Sequence, residues 1–263
     1  MIMRLAIFLG VLMPALGFAQ TKTFTAREPI AGVKAARPSG ALYARLRMVH
    51  RGPQGETVLQ VQLKRRSVPE GGSESLYQLL FPAEQKGEGL LLKARRNAFT
   101  GATFVPSKGV RPLKSGDRDT AVFGTAVEIE DLLASFLDWP NPEIVGQEKE
   151  GNVPCTVVEL RAPKGSASTF ARARCWIDEK RYATMRVEFH GSGDKPIKTV
   201  ITHKVMRGSS GFYSPVNFTV TDHTNGASTK VEGVRSDSDV TFTDADFAEA
   251  ALQTVSSAPG KGG

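Results

Sequence analysis

The sequence predicts a mainly β protein: eleven or twelve antiparallel strands in one curled sheet, interrupted once by an amphipathic helix that covers an apolar face. Three features of the chain lead there. Strand-length segments alternate apolar and polar residues with a period of two. Turns rich in glycine separate them. One stretch only, "AVFGTAVEIEDLLASFLDW" at 121–139, repeats its apolar residues on the 3.6-residue period of a helix.

The first residues, "MIMRLAIFLGVLMPALGFAQ", have the parts of a secretory signal peptide. Arg4 gives the positive start, an apolar run follows from Leu5 to Leu16, and Gly17 and Ala19 stand at −3 and −1 of a cleavage site near Ala19. That run is too short to span a bilayer, which takes ~20 residues. Residues 1–19 are therefore read as a leader, and an exported protein of the periplasm is expected. Residues 20–40 hold Pro29, Pro38 and many small residues, and are read as a flexible segment with no good helix.

A single β domain is expected over 41–250, with a disordered tail at 251–263. Its strands fall near 41–50, 57–66, 75–81, 89–96 and 102–105, then near 143–149, 153–161, 170–178, 183–190, 197–206, 212–222 and 228–236. In the second of these Leu59, Val61 and Leu63 face one way, while Val58, Gln60, Gln62 and Lys64 face the other. One polar face predicts a sheet wet on one side. Between the two groups of strands, 106–120 is rich in turn residues. The helix follows over 126–138, with Ile129, Leu132, Leu133, Phe136 and Leu137 as its stripe, Thr125 and Glu128 as a capping box, and Pro140 as its stop. Free edges of so large a sheet invite aggregation unless something covers them, and the helix is the available cover.

Cys155 and Cys175 flank a hairpin whose turn centres near Gly165. Residues equidistant from the turn face each other across the ladder, so a disulfide between them is expected in an oxidising compartment. The absence of a Cys-x-x-Cys motif argues against a redox function.

The chain carries 34 Lys and Arg against 27 Asp and Glu, for a formal charge of +7, and loss of Arg4 with the leader leaves +6. The charge is spread out, with small clusters at 64–66 and 95–96 that read as solvated strand faces, or as sites of transient contact with an anionic membrane surface. Nucleic acid is not expected as a partner. No catalytic constellation stands out. His50, His190, His203 and His223 lie on separate strands or turns, and Asp237, Asp239, Asp244 and Asp246 lack the glycine and spacing of a calcium loop. The protein reads as a non-enzyme without metal or cofactor.

Several segments together resemble the periplasmic outer-membrane lipoprotein-sorting proteins of the LolA-like superfamily. "FGTAVEIEDLL" is similar to the family's "GSDFSYEDL", and "GNVPCTVVELRAP" to its "G-x-x-C-Y-x-L-E-x-x-P" strand. "ARARCWIDEKRYATMRVEFHGSGDKPIKTV" resembles the family's "W-I-D" hairpin, through Trp176, Ile177, Asp178, Arg186, Glu188, Phe189, Gly193 and Lys195. "DHTNGASTKVEG" and "SDVTFTDADF" look like its closing strands, so the resemblance covers roughly 75–248.

The resemblance implies an open, incomplete antiparallel barrel of about eleven strands around an apolar cavity, with the helix at 126–138 as lid or plug. It implies a carrier for acyl chains of lipids or lipoproteins, working between membrane-bound donor and acceptor proteins. On that reading the ligand-binding face comprises Leu59, Val61, Leu63, Leu79, Phe81, Leu90, Leu92, Ile129, Leu133, Phe136, Val158, Leu160, Ile177, Val187 and Phe189. A regulatory envelope-stress module of the same fold, recognising a lipid or protein signal without delivering it, is the alternative.

Overall fold

From Ala41 the chain runs as a meander of six strands: β1 (Ala41–Gly52), β2 (Gly55–Val68), β3 (Gly72–Phe81), β4 (Gly89–Arg95), β5 (Ala98–Val105) and β6 (Gly109–Pro112). It then crosses, through residues 113–142, to the far edge of the same sheet. There it begins β7 (Glu143–Glu150) and returns through β8 (Val153–Arg161), β9 (Arg172–Asp178), β10 (Thr184–His190), β11 (Pro196–Arg207), β12 (Tyr213–Asp222) and β13 (Ser228–Asp237). β13 pairs with β1, so the two meanders join at the centre of one open, antiparallel thirteen-stranded sheet. The computed structural model describes residues 25–36, 40–95, 98–208, 211–238 and 240–255. The expected leader, 1–19, lies outside them.

This topology gives the central helix its reason. Each meander joins neighbouring strands directly, but the step from β6 to β7 must span the whole sheet, and it does so across one face. Residues 113–142 are that crossing, called the plug below.

The plug is not the continuous helix that the apolar spacing predicts. It comprises 3-10 turns at Asp117–Asp119, Val122–Gly124 and Ser135–Asp138 and one short α-helix, α2 (Ile129–Leu133). Ala134 ends α2 in the left-handed region (φ 47°, ψ 38°), which redirects the chain while Phe136 and Leu137 still turn inward. The capping box is shifted as well. Glu128 is the N-cap and Asp131 its reciprocal partner, accepting the Glu128 N–H at 2.8 Å. Thr125 serves a tighter loop, donating to the Val122 carbonyl at 2.8 Å and accepting the Val127 N–H at 3.2 Å.

The segment expected to be flexible, 20–40, contains a second helix, α1 (Arg27–Ala35). Pro29 falls in its first turn, where a missing N–H costs nothing, and Ile30 and Val33 are one turn apart and buried. Gly32 is required by packing: a Cβ there would lie 2.4 Å from the Tyr182 ring.

The other face of the sheet is not uniformly wet. The segment 240–255 runs back over β2–β5 as two 3-10 turns, at Asp244–Phe247 and Glu249–Gln253. Phe247 and Leu252, both 0% exposed, pack there with Leu76, Leu91 and Ala102. Order thus extends into the tail expected to be disordered, and Gln62, Lys64 and Gln78 are buried beneath it. β6 is the strand that the turn-rich stretch 106–120 concealed. The sheet's two edges are blunted differently. β6 is four residues long and ends in Pro112, while β7 carries a bulge between Ile144 and Gly146 and the charges of Glu143, Glu148, Lys149 and Glu150.

The expected disulfide does not form. Cys175 faces Val158, and Cys155 faces Asp178, three positions away along β8. An odd offset puts the two side chains on opposite faces of the sheet. Cys175 joins the large cluster beneath the plug, Cys155 a small outer cluster with Val157, Trp176 and Met185, and both are free thiols. Burial pushes both thiols above their ordinary pKa. A thiol reagent is therefore expected to leave the native protein unmodified and to label two cysteines after unfolding. Reductant should leave Tm unchanged; a drop of several degrees would mean the sulfurs are joined.

Candidate functional site

The plug and α1 meet the inner face of the sheet in three apolar clusters that run into one another. Toward β4, Val122 and Ile129 pack on Leu90 and Leu92, with Leu133 half-buried beside them. At the centre, Ala126 and Val127 pack on Met48, Leu59, Val61, Leu79, Val220 and Val231. Toward β8–β10, Phe136, Leu137 and Trp139, with Ile30 and Val33 of α1, cover Val158, Leu160, Ile177, Val187 and Phe189. Tyr77, Phe123 and Leu132 bridge the first two clusters, and Val200 bridges the last two. Aromatic rings meet at the third: Phe136 stands edge-on to Phe189 at 5.1 Å, and Phe189 stacks on Phe170 at 4.3 Å.

Thirteen of the fifteen residues expected on the apolar face lie in these clusters. Leu63 is only half-buried and belongs to none, and Phe81, at the end of β3, is 46% exposed. Sequence reasoning missed Met48, Trp139, Phe170, Val220 and Val231, although the alternation of Leu46 and Met48 along β1 carries the same period-two signal. The space between sheet and plug is filled by side chains: Leu59, Val61, Leu79, Leu90, Leu92, Val158, Leu160 and Ile177 are exposed by at most 3%.

Two buried ionic groups hold α2 in place, and neither was anticipated. Arg118, in the 3-10 turn Asp117–Asp119, donates to Glu130 Oε2 at 2.5 Å, and the hydroxyls of Ser135 and Ser168 donate to Glu130 Oε1 at 2.7 and 2.9 Å. Lys198 of β11, whose side chain is 3% exposed, lies 2.7 Å from Glu128 Oε2 and 3.0 Å from Asp131 Oδ2. Its ammonium also stands 5.5 Å from the centre of the Phe170 ring. A lysine can occupy this apolar face only because the acids of α2 meet it there.

Burial pushes the carboxyls of Glu128 and Asp131 above the usual carboxylate range, with Lys198 pulling the other way. The folded protein therefore binds protons on these groups at a pH where the unfolded chain has released them. Their contribution to stability is greatest below the ordinary carboxylate pKa, roughly 4, and declines as pH rises through the elevated folded values. Asp131→Asn should gain on the wild type in denaturant midpoint as pH goes from 4 to 7. A pH-independent difference between the two proteins would show that Asp131 does not titrate in this way.

At one rim, the β1–β2 turn, the turn Ala83–Gln85 and the turn Val122–Gly124 enclose a cleft of about 430 Å³. Its walls are polar and uncharged, and its floor includes Leu59 and Phe123. Among the described residues there is no group of His, Cys, Asp and Glu placed to hold a metal ion, and no helix long and apolar enough to cross a membrane.

The comparisons with known proteins agree with this architecture. A family model described as "-like: Uncharacterized protein" matches residues 71–254. The chain belongs to that family. Its fold is LolA-like, shared with a domain of Vibrio parahaemolyticus named for outer membrane lipoprotein sorting, at a TM-score of 0.80 and 20% identity over 88% of this chain and 100% of that one. A DUF1329 family protein from Desulfovibrio piger also gives 0.80, at 17% identity over 87% and 98% of the two chains. A LolA superfamily protein from Nitrosomonas europaea gives 0.68, at 18% identity over 87% and 99%. No curated protein matches the chain in sequence. The comparisons establish the fold that this chain shares with these structures; its chemistry must be argued from its own residues.

Proposed function

We propose that the protein is an exported, periplasmic carrier that shields acyl chains of lipids or lipoproteins against the inner face of its sheet. One observation carries this reading. A continuous apolar surface from β4 to β10 is covered by a crossing segment of short turns and a single five-residue helix, and not by further strands. Between its two ends such a cover forms no strand ladder with the sheet, so a ligand of similar apolar character can take its place.

The energetics fit an exchange. A sixteen-carbon chain loses about 0.8 kcal/mol for each methylene left in water. Moving Leu132, Leu133 and Phe136 aside exposes the inner face, and an incoming acyl chain restores that burial. Donor and acceptor proteins at the two membranes would then drive loading and release.

The test is native mass spectrometry of protein taken from periplasm without detergent, followed by solvent extraction. Bound mass that extracts as lipid, and disappears in a folded Leu133→Asp, Phe136→Asp double variant, supports the carrier. Protein that stays free of lipid when phospholipid and lipopeptide are both offered overturns it.

A further inference from the structure

We infer that the rim cleft receives the uncharged, carbonyl-bearing end of the cargo while the acyl chain enters the interior past Phe123. This inference rests on the carrier reading and adds to it the chemistry of the head group.

The cleft volume, about 430 Å³, falls within the range of small-molecule sites, roughly 300–1,000 Å³. His50, Thr57, Gln85 and Thr125 supply its polar wall, and Gln54 and glycines complete it without a formal charge. An ionised carboxylate or phosphate entering here would lose water and meet no counter-charge, whereas an ester or amide needs only a hydrogen-bond donor. One is in place. The Thr229 hydroxyl oxygen accepts the Ala126 N–H at 2.9 Å and lies 3.0 Å from His50 Nδ1. When the hydroxyl donates to Nδ1, the imidazole carries its hydrogen on Nε2, beside Gly52 in the cleft wall, and offers it to the cargo's carbonyl.

The floor gives the direction of the chain. Leu59 is 1% exposed and belongs to the central inner cluster, and Phe123 is half-buried and packs against both that cluster and the one over β4. The cleft therefore adjoins the apolar face through Leu59 and Phe123. Phe123 holds φ 52°, a left-handed conformation that a side chain with a Cβ adopts only under constraint, and Gly124 follows at φ 69°. A strained aromatic residue between a polar hollow and the interior is placed to swing when a chain passes.

Three probes with the same oleoyl chain separate the possibilities: monooleoylglycerol, oleate and oleoyl-lysophosphatidic acid, titrated below their aggregation concentrations. Monooleoylglycerol is expected to bind at least tenfold more tightly than either anion. Thr57→Trp, which fills the cleft from an exposed position, should weaken it at least tenfold with an unchanged circular dichroism spectrum and Tm. Gln54→Trp, in the hairpin turn, provides the same block if Thr57→Trp misfolds. Equal affinity for the three probes, or tighter binding of an anion, or indifference to both tryptophans overturns the cleft as the head-group site and leaves the carrier standing. Binding of none of the three overturns both.

Discussion

Glu130→Ala should cost about 3–5 kcal/mol of stability, the range for removing one partner of a buried ion pair. The carboxylate is 2% exposed and is the shared acceptor for Arg118, Ser135 and Ser168. Without it a guanidinium 8% exposed loses its carboxylate partner and keeps the Phe99 ring, 5.2 Å away. The three donors come from the turn before α2, the turn after it, and the β8–β9 loop, so the loss also unfastens the plug from that loop. Arg118→Met with Glu130→Met, which removes both charges, should recover most of the loss. Urea denaturation of the two single variants and the double variant measures this. If the single losses simply add, the pair is not coupled and the plug is held by its apolar contacts alone.

The second large effect is expected at the opposite face. Phe247→Ala should destabilise by about 3–5 kcal/mol, as large aromatic truncations in a core do. Phe247 is fully buried against Leu76 and Leu91, meets Phe242 edge-to-face at 5.5 Å, and lies under the Arg66 guanidinium at 4.7 Å. The segment it anchors has no strand ladder to fall back on. It is held instead by Phe247, Leu252, the ion pair of Lys64 with Asp246 at 2.7 Å, and the Gln78 amide. That amide donates to the carbonyls of Ala251, Leu252 and Thr254 at 3.1–3.2 Å. Hydrogen exchange at β3 and β4 should therefore speed up in the variant before β9 and β10 respond. A uniform change across the sheet would show that the segment does not open separately.

The face assignments were legible because they depend only on neighbours in sequence. Leu59 and Val61, Val158 and Leu160, and Val187 and Phe189 each alternate with residues of the other face, and the structure keeps each pair inside. What failed depended on partners far along the chain or on one backbone angle. Gln62 and Lys64 look like solvent residues until 240–255 arrives to cover them. Cys155 and Cys175 look opposed only if the turn is centred on Gly165, but the actual pairing of Arg161 with Arg172 displaces the register. The helix stripe continues correctly through Phe136 and Leu137, yet no spacing rule reveals the left-handed Ala134 that precedes them. Within the candidate site, the apolar lining was readable, whereas Lys198 was hidden because a lysine in a strand signals water unless its acids are known to lie across from it.

The pairing of β1 with β13 bears on how the molecule comes to exist at all. Every other ladder in the sheet joins strands adjacent in sequence, so each meander is able to assemble from local contacts. Tyr43 facing Asp237, and His50 facing Thr229, require the two ends of the domain to find each other. Loop closure over that separation is entropically the slowest step available to the chain, which places the central seam last in the order of assembly. Until it closes, the polypeptide is two half-sheets with unguarded edges at β1 and β13, tied together by the plug, and those edges are the exposure a holding chaperone would have to cover.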